Sequence, residues 1–296
     1  MKKYFMLFFI IFYQLTVGAG FKSLSTEINA RSAGMGEISS VLPNGSSAQY
    51  WNPALLSHVE RDQLEFSMAQ YLLDTKSYLF SYANAGDRWN IGLFLYFNAI
   101  TGIEVRDVPS IEPDGETSAS DLAVGFSISR VVRKNWNAGI SLKYLFTSLY
   151  GYQATGIGLD GGITYTGFQY FMLAAGFRNL GKTGTLNNER PDLQEEVFAG
   201  VYFPQFFSKD NHDLGGGIQI KTLSVDDNLK KYINIGIEYT YADHLFGRIG
   251  YLLNNDLYSA TYGLGYQFKR MAIHYSLKNA KHGFNDSHFV TLSMGL

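Results

Sequence analysis

From residue 63 to residue 296 the chain alternates apolar residues with small or polar ones, stretch after stretch. Leu64, Phe66 and Met68 alternate with Glu65, Ser67 and Ala69, and Leu122, Val124, Phe126 and Ile128 with Ala123, Gly125, Ser127 and Ser129. Ile233, Ile235, Ile237 and Tyr239 oppose Asn234, Gly236, Glu238 and Thr240. A period of two places successive side chains on opposite faces of a strand. About fourteen such stretches follow one another, near the ~10-residue length of membrane-crossing strands. The second face is Gly, Ser, Thr and Asn with scattered charges. A soluble sandwich would turn many Lys and Glu to water there. Tyr and Phe cluster near strand ends, as interfacial girdles require. In lipid every backbone polar group needs an internal partner, so closure into a barrel is the one β solution. The expected fold class is therefore all-β, an outer-membrane antiparallel barrel of about 14 strands.

Three segments divide the chain. Residues 1–19 read as a signal peptide, with Lys2 and Lys3, an apolar run over residues 4–15, and Val17-Gly18-Ala19 as cleavage site. That run falls short of the ~20 residues a membrane helix needs. Residues 20–62 are the least strand-like part and are expected to form a plug in the lumen of the barrel built by residues 63–296. Gly34 and Gly36 flank Met35, where a Cβ would hinder the backbone. Pro43-Asn44-Gly45 signals a turn. In Trp51-Asn52-Pro53-Ala54 the proline restricts Asn52 just after a large aromatic. The chain has no Cys, which excludes a disulfide framework. A net charge of −2 without a basic stripe predicts no nucleic-acid partner.

Residues 30–41, ARSAGMGEISSV, followed by residues 48–56, AQYWNPALL, are similar to the N-terminal signature of the PorV/PorQ family of outer-membrane proteins. The resemblance continues in residues 142–165, 177–181 (FRNLG) and 233–251, and departs from the pattern at Glu37-Ile38, where a small residue or glycine is expected. That family is related to FadL-type long-chain fatty acid transporters, whose plug carries the triplet that here is Asn52, Pro53 and Ala54. The resemblance implies a FadL-like plugged barrel, and the role expected from it is that of a type IX secretion component whose outer loops, residues 100–119 and 180–193, bind C-terminal sorting domains of secreted proteins or other secretion subunits. The alternative is passive transport of a hydrophobic small ligand, released sideways through a gap in the wall. The run 168–177, apolar on both faces, is where a wall kink and an apolar cavity are sought.

Lys143, Asp160, Lys221, Glu238 and Arg248 all fall on the inferred lumen face. Their mixed signs suit pairing with one another, or with plug groups such as Arg31 and Glu37, better than an ion-selective pore. The alternative is contact with a substrate. Six His are scattered without a metal-ligand spacing, so no metal or other cofactor is expected. His274 and Ser276 share one strand face, but a triad needs an orienting third group, and no enzyme is expected. Gly215-Gly216-Gly217 lies in a strand pattern and reads as close backbone approach or a kink. Gly156, Gly158 and Gly162 are expected to leave lumen space for the plug. Long connections at 99–119, 180–193 and 223–231 follow odd strands, and short ones mostly follow even strands, with 204–210 the exception. Short turns face the periplasm in outer-membrane barrels. An even count then puts both termini there, with the barrel embedded in outer-membrane lipid.

Overall fold

The computed structural model describes residues 21–72, 75–105, 113–225 and 228–296; the expected signal peptide lies outside them. The strands are β1 (Gln63–Gln70), β2 (Lys76–Asn84), β3 (Asn90–Val105), β4 (Gly115–Arg133), β5 (Trp136–Leu149), β6 (Tyr152–Tyr165) and β7 (Met172–Thr183). The second half is β8 (Glu196–Lys209), β9 (His212–Val225), β10 (Asn228–Tyr241), β11 (Leu245–Leu253), β12 (Tyr258–Phe268), β13 (Met271–Ala280) and β14 (Ser287–Gly295). Each pairs antiparallel with its sequence neighbours, and β1 closes on β14 with Gln63 opposite Gly295. The fold is a closed antiparallel barrel of fourteen strands.

Alternation decides which way each side chain points. Phe66, Phe80, Phe126, Leu142, Ile249 and Leu264 stand outward and exposed, while Ser67, Ser81, Ser127, Ser141, Thr261 and Thr291 are buried inside. Exposed rings ring both rims: Trp89, Trp136, Tyr241 and Phe268 near one, Tyr150 and Tyr152 near the other.

The connections differ from the sequence expectation. β3 and β4 continue to Val105 and from Gly115, so most of 99–119 is strand. β9 ends at Val225 and β10 starts at Asn228, so 223–231 is almost wholly ladder. The 204–210 exception disappears, because β8 runs to Lys209 and the turn is 210–211. Pro204 sits in a register shift between Phe203 and Phe207, where its missing N–H costs no ladder bond. Gly215 faces the carbonyls of Phe203 and Pro204, which a Cβ would approach to 2.9 and 2.4 Å. Gly215 thus accommodates this bulge, while Gly216 faces the Gly236 carbonyl and Gly217 the Val201 carbonyl and Ile38. Conversely, the turn expected at Thr166-Gly167 is the longer connection 166–171, folded back on the wall by rings. Phe168 stacks on Phe171 at 4.3 Å and meets Tyr165 at 5.3 Å, and Tyr165 tilts against Trp136 at 4.7 Å.

Residues 21–62 lie inside the barrel as short helical turns: Lys22–Ser25, a helix α1 (Ala30–Gly34), Gly45–Tyr50 and Pro53–His58. Their apolar side chains form the buried core. Phe21, Leu24, Ile28, Tyr50 and Trp51 pack with wall residues Phe94, Tyr96 and Leu145. Met35, Ile38, Val41, Leu42 and Leu55 pack with Met172, Ala174 and Tyr202. The segment starts toward the rim of the odd connections, where the Ser23 hydroxyl donates to Asp121 and the Tyr71 hydroxyl to the Glu27 carbonyl. It leaves at the opposite rim, where the Asp62 carbonyl accepts from Leu296 N at 2.8 Å. Phe21 therefore lies toward the rim of the odd connections and the end of β14 at the rim of short turns.

Candidate functional site

Three of the contacts between the lumenal segment and the wall involve the residues singled out in the sequence. The first is Gly34-Met35-Gly36. Asn29 caps α1, its Oδ1 accepting from Arg31 N at 2.8 Å. The helix then ends against β11 to β13. Thr261 Oγ1 donates to the Gly34 carbonyl and accepts from Gly36 N, both at 3.0 Å. Gly36 has φ +68°, where L side chains are strained, and its neighbours forbid a Cβ as well. The wall is reduced at the same spot. A Cβ on Gly250 would stand 2.0 Å from Gly36 N, and one on Gly236 2.1 Å from the Met35 carbonyl. Backbone thus meets backbone across the contact.

The second contact is ionic. Glu37 receives Lys278 Nζ at 2.7 Å and Lys221 Nζ at 3.9 Å. Arg31 and Arg248 both reach Glu238, at 2.7 and 2.5 Å. Lys143 and Asp160 pair at 2.7 Å, fully enclosed, with Lys143 also donating to Asn179. All five lumen charges singled out in the sequence are thus buried and engaged in ion pairs, two of them (Lys221 and Glu238) with the lumenal segment itself. Burial disfavours the Glu37 carboxylate, but Lys278 and Lys221 outweigh it and hold its pKa below the ordinary value. Glu27 is the opposite case: burial and then the Glu37 charge raise its pKa, against hydrogen bonds from Ser39, Ser32 and Asn29 N.

The third contact is Trp51-Asn52-Pro53-Ala54. The Arg178 guanidinium lies 4.1 Å over the Trp51 ring, donates to the carbonyls of Tyr50 and Leu24 at 3.2 and 3.0 Å, and meets Glu196 at 3.3 Å. Asn52 Oδ1 accepts from Ala54 N at 3.0 Å and its Nδ2 donates to the Ser40 carbonyl at 2.9 Å, so this side chain closes the turn. A Cβ on Gly162 would meet Asn52 Oδ1 at 1.9 Å, and one on Gly139 the Pro53 carbonyl carbon at 2.4 Å. Gly156 and Gly158 do not serve the plug: the first faces the backbone of Lys182, the second the Lys143 stem.

Arg178 also marks an irregularity of the wall. The β6–β7 ladder shifts register between Leu159 and Gly161, in mid-strand. Two residues, Arg178 and Asn179, oppose Asp160, whose Oδ1 accepts from Asn179 N at 2.8 Å. Asn179 has φ +61°, and such a bulge bends a strand and re-aims its side chains. The inward residues of the neighbouring apolar run, Met172 and Ala174, are covered by the lumenal segment, so this run lines no open cavity here. Arg178, Glu196 and Lys278 were not singled out from the sequence. The available signal was a lone Arg inside the apolar run that ends FRNLG.

His274 and Ser276 face the lumen, but among the described residues no carboxylate hydrogen-bonds His274.

No family model and no curated protein matches the chain. Solved structures do. The CymD monoaromatic hydrocarbon channel superposes over 91% of this chain and 97% of its own, with TM-score 0.67 and 14% identity. The Pseudomonas putida toluene transporter TodX covers 95% and 98%, with TM-score 0.62 and 15% identity. A Pseudomonas aeruginosa FadL homologue covers 90% and 98%, with TM-score 0.58 and 13% identity. At these identities the likeness is one of fold, and the chain has the architecture of FadL-type barrels.

Proposed function

We propose that this barrel sits in the outer membrane and passes a small apolar molecule, with residues 21–62 as the movable stopper. One observation carries the reading: the plug's Trp51 is clamped by Arg178 at the mid-wall bulge of β7, beside an apolar seam that the plug covers. Withdrawal of Met35, Ile38, Val41 and Leu42 would bare Met172, Ala174 and Tyr202. A molecule entering from the rim of the odd connections would find an apolar surface there, and the interrupted ladder beside it as a way into lipid. The fold neighbours that carry aromatic hydrocarbons support this reading. The exposed apolar band supports the membrane setting, with the rim of short turns toward the periplasm. The secretion-cargo role implied by the PorV/PorQ resemblance draws no support from these neighbours, and of the connection 99–119 the described residues 99–105 and 115–119 belong to strands β3 and β4.

The test is uptake of labelled toluene by lipopolysaccharide-coated cells. Cells expressing the protein should take it up faster than cells carrying an empty vector. Equal rates would remove the transport reading.

A further inference from the structure

On the outer wall one arginine is left without a carboxylate. The outward row of β4, Val124, Phe126 and Ile128, ends in Arg130, three residues before the strand does. Its guanidinium lies 4.8 Å from the centre of the Trp89 ring, just before β3. A ring beneath a guanidinium fixes the plane of its fork. Nε is covered, while Nη1 and Nη2 are open and donate to none of the described residues. Trp89 belongs to the exposed rings at the rim of short turns, and such belts lie at the level of the lipid headgroups. A charge on the lipid-facing wall is tolerated at that level and costly in the hydrocarbon.

Charge points to an anion. The two turns beside Arg130, 85–89 and 134–135, add Arg88 and Lys134, and the end of β4 adds Arg133. All three are exposed, against the single carboxylate of Asp87. No ion pair among the described residues includes any of these four cations. The next connection at this rim, 166–171, carries no Lys or Arg, and neither does 242–244. The basic arc adjoins apolar wall. Opposite Arg130, β5 presents Ala138 between exposed Trp136 and Ile140, and exposed Phe126 pairs with exposed Leu142 farther from the rim. A guanidinium takes a phosphate through two parallel N–H donors. A phosphate that carries acyl chains also uses the apolar stripe, from which a free phosphate gains nothing.

We propose that this arc of the rim holds one anionic phospholipid, its phosphate on Arg130 Nη1 and Nη2 and its acyl chains along Ile140, Leu142 and Phe126, with Arg88, Arg133 and Lys134 adding charge. The site rests on the outer-membrane placement of the barrel and not on transport. The full chain would be reconstituted into vesicles of equal parts phosphatidylglycerol and phosphatidylethanolamine, extracted in mild detergent and weighed with its bound lipid by native mass spectrometry. Wild type should retain one phosphatidylglycerol in preference to phosphatidylethanolamine. R130Q should lower the ratio of the two about fivefold, the weight of one cation at an anionic surface. R130K keeps the charge but not the fork, and should lower the ratio as well. K269Q/R270Q removes two cations from another arc of the same rim and should leave the ratio unchanged. A wild-type ratio in R130K, or an equal drop in K269Q/R270Q, would reduce the site to diffuse charge and overturn it. Insertion of wild type without any preference would overturn the site alone. Failure of wild type to enter the vesicles would overturn the outer-membrane placement and the site with it.

Discussion

Glu37 shows how a single residue can look misplaced in the sequence and be required in the structure. Its φ is +61°, a conformation in which a glycine would be relaxed, and a non-glycine residue there costs about 1–2 kcal/mol. Glycine would, however, leave Lys278 and Lys221 buried without their carboxylate, and breaking a buried pair from one side costs about 3–5 kcal/mol. The ionic term is larger, so E37G should destabilise the folded protein, as chemical denaturation would register. A gain in stability would refute this balance. The lowered pKa sets a pH dependence. Stabilisation by Glu37 is present above its ordinary value of 4.5 and is lost as pH falls through the lowered folded value. E37Q should therefore flatten the loss of stability on the acid side relative to wild type. An unchanged acid limb would contradict this assignment to Glu37; Glu27, whose raised pKa acts with the opposite sign, offsets the acid-side loss and cannot cause it.

At the scale of elements, the paired glycines govern how the stopper docks. G250A would place a methyl 2.0 Å from Gly36 N, and backbone cannot step aside as a side-chain tip can. Overpacking of this kind costs about 1–3 kcal/mol. The variant should keep its barrel but expose residues 21–62 to protease; protection equal to wild type would contradict the contact. The strands themselves were legible, because alternation of Leu, Ile and Phe with Gly, Ser and Thr states both the period and the two environments. Strand ends were not. Residues 115–119 carry no apolar alternation, in 99–105 Gly102 at φ +70° and the register shift between Ile100 and Ile103 break the period of two, and at Pro204 a bulge imitates a turn. The lumen charges were legible as inward positions, and so was their pairing with one another and with Arg31 and Glu37. Which cation meets which carboxylate was not, since Lys278 with Glu37 and Arg31 with Glu238 span more than two hundred residues of sequence.

For the whole molecule, the lumen is occupied by a segment held through glycine contacts, buried ion pairs and one stacked Trp51. Replacing Trp51, Asn52 and Pro53 together with Ala removes the Arg178 stack and the turn closed by Asn52. A desolvated cation–π contact alone contributes about 2 kcal/mol. The barrel should still insert, and single-channel conductance in a planar bilayer should rise; conductance equal to wild type would count against a lumenal stopper. The most direct test locks the stopper in place. Ser46 and Ser81 face each other across the plug and β2 with their hydroxyls 2.8 Å apart, and the natural chain has no Cys to interfere. In S46C/S81C, toluene uptake by cells should fall to the empty-vector rate on oxidation and recover with a reductant. Uptake that continues unchanged through the oxidised lock would contradict a movable plug.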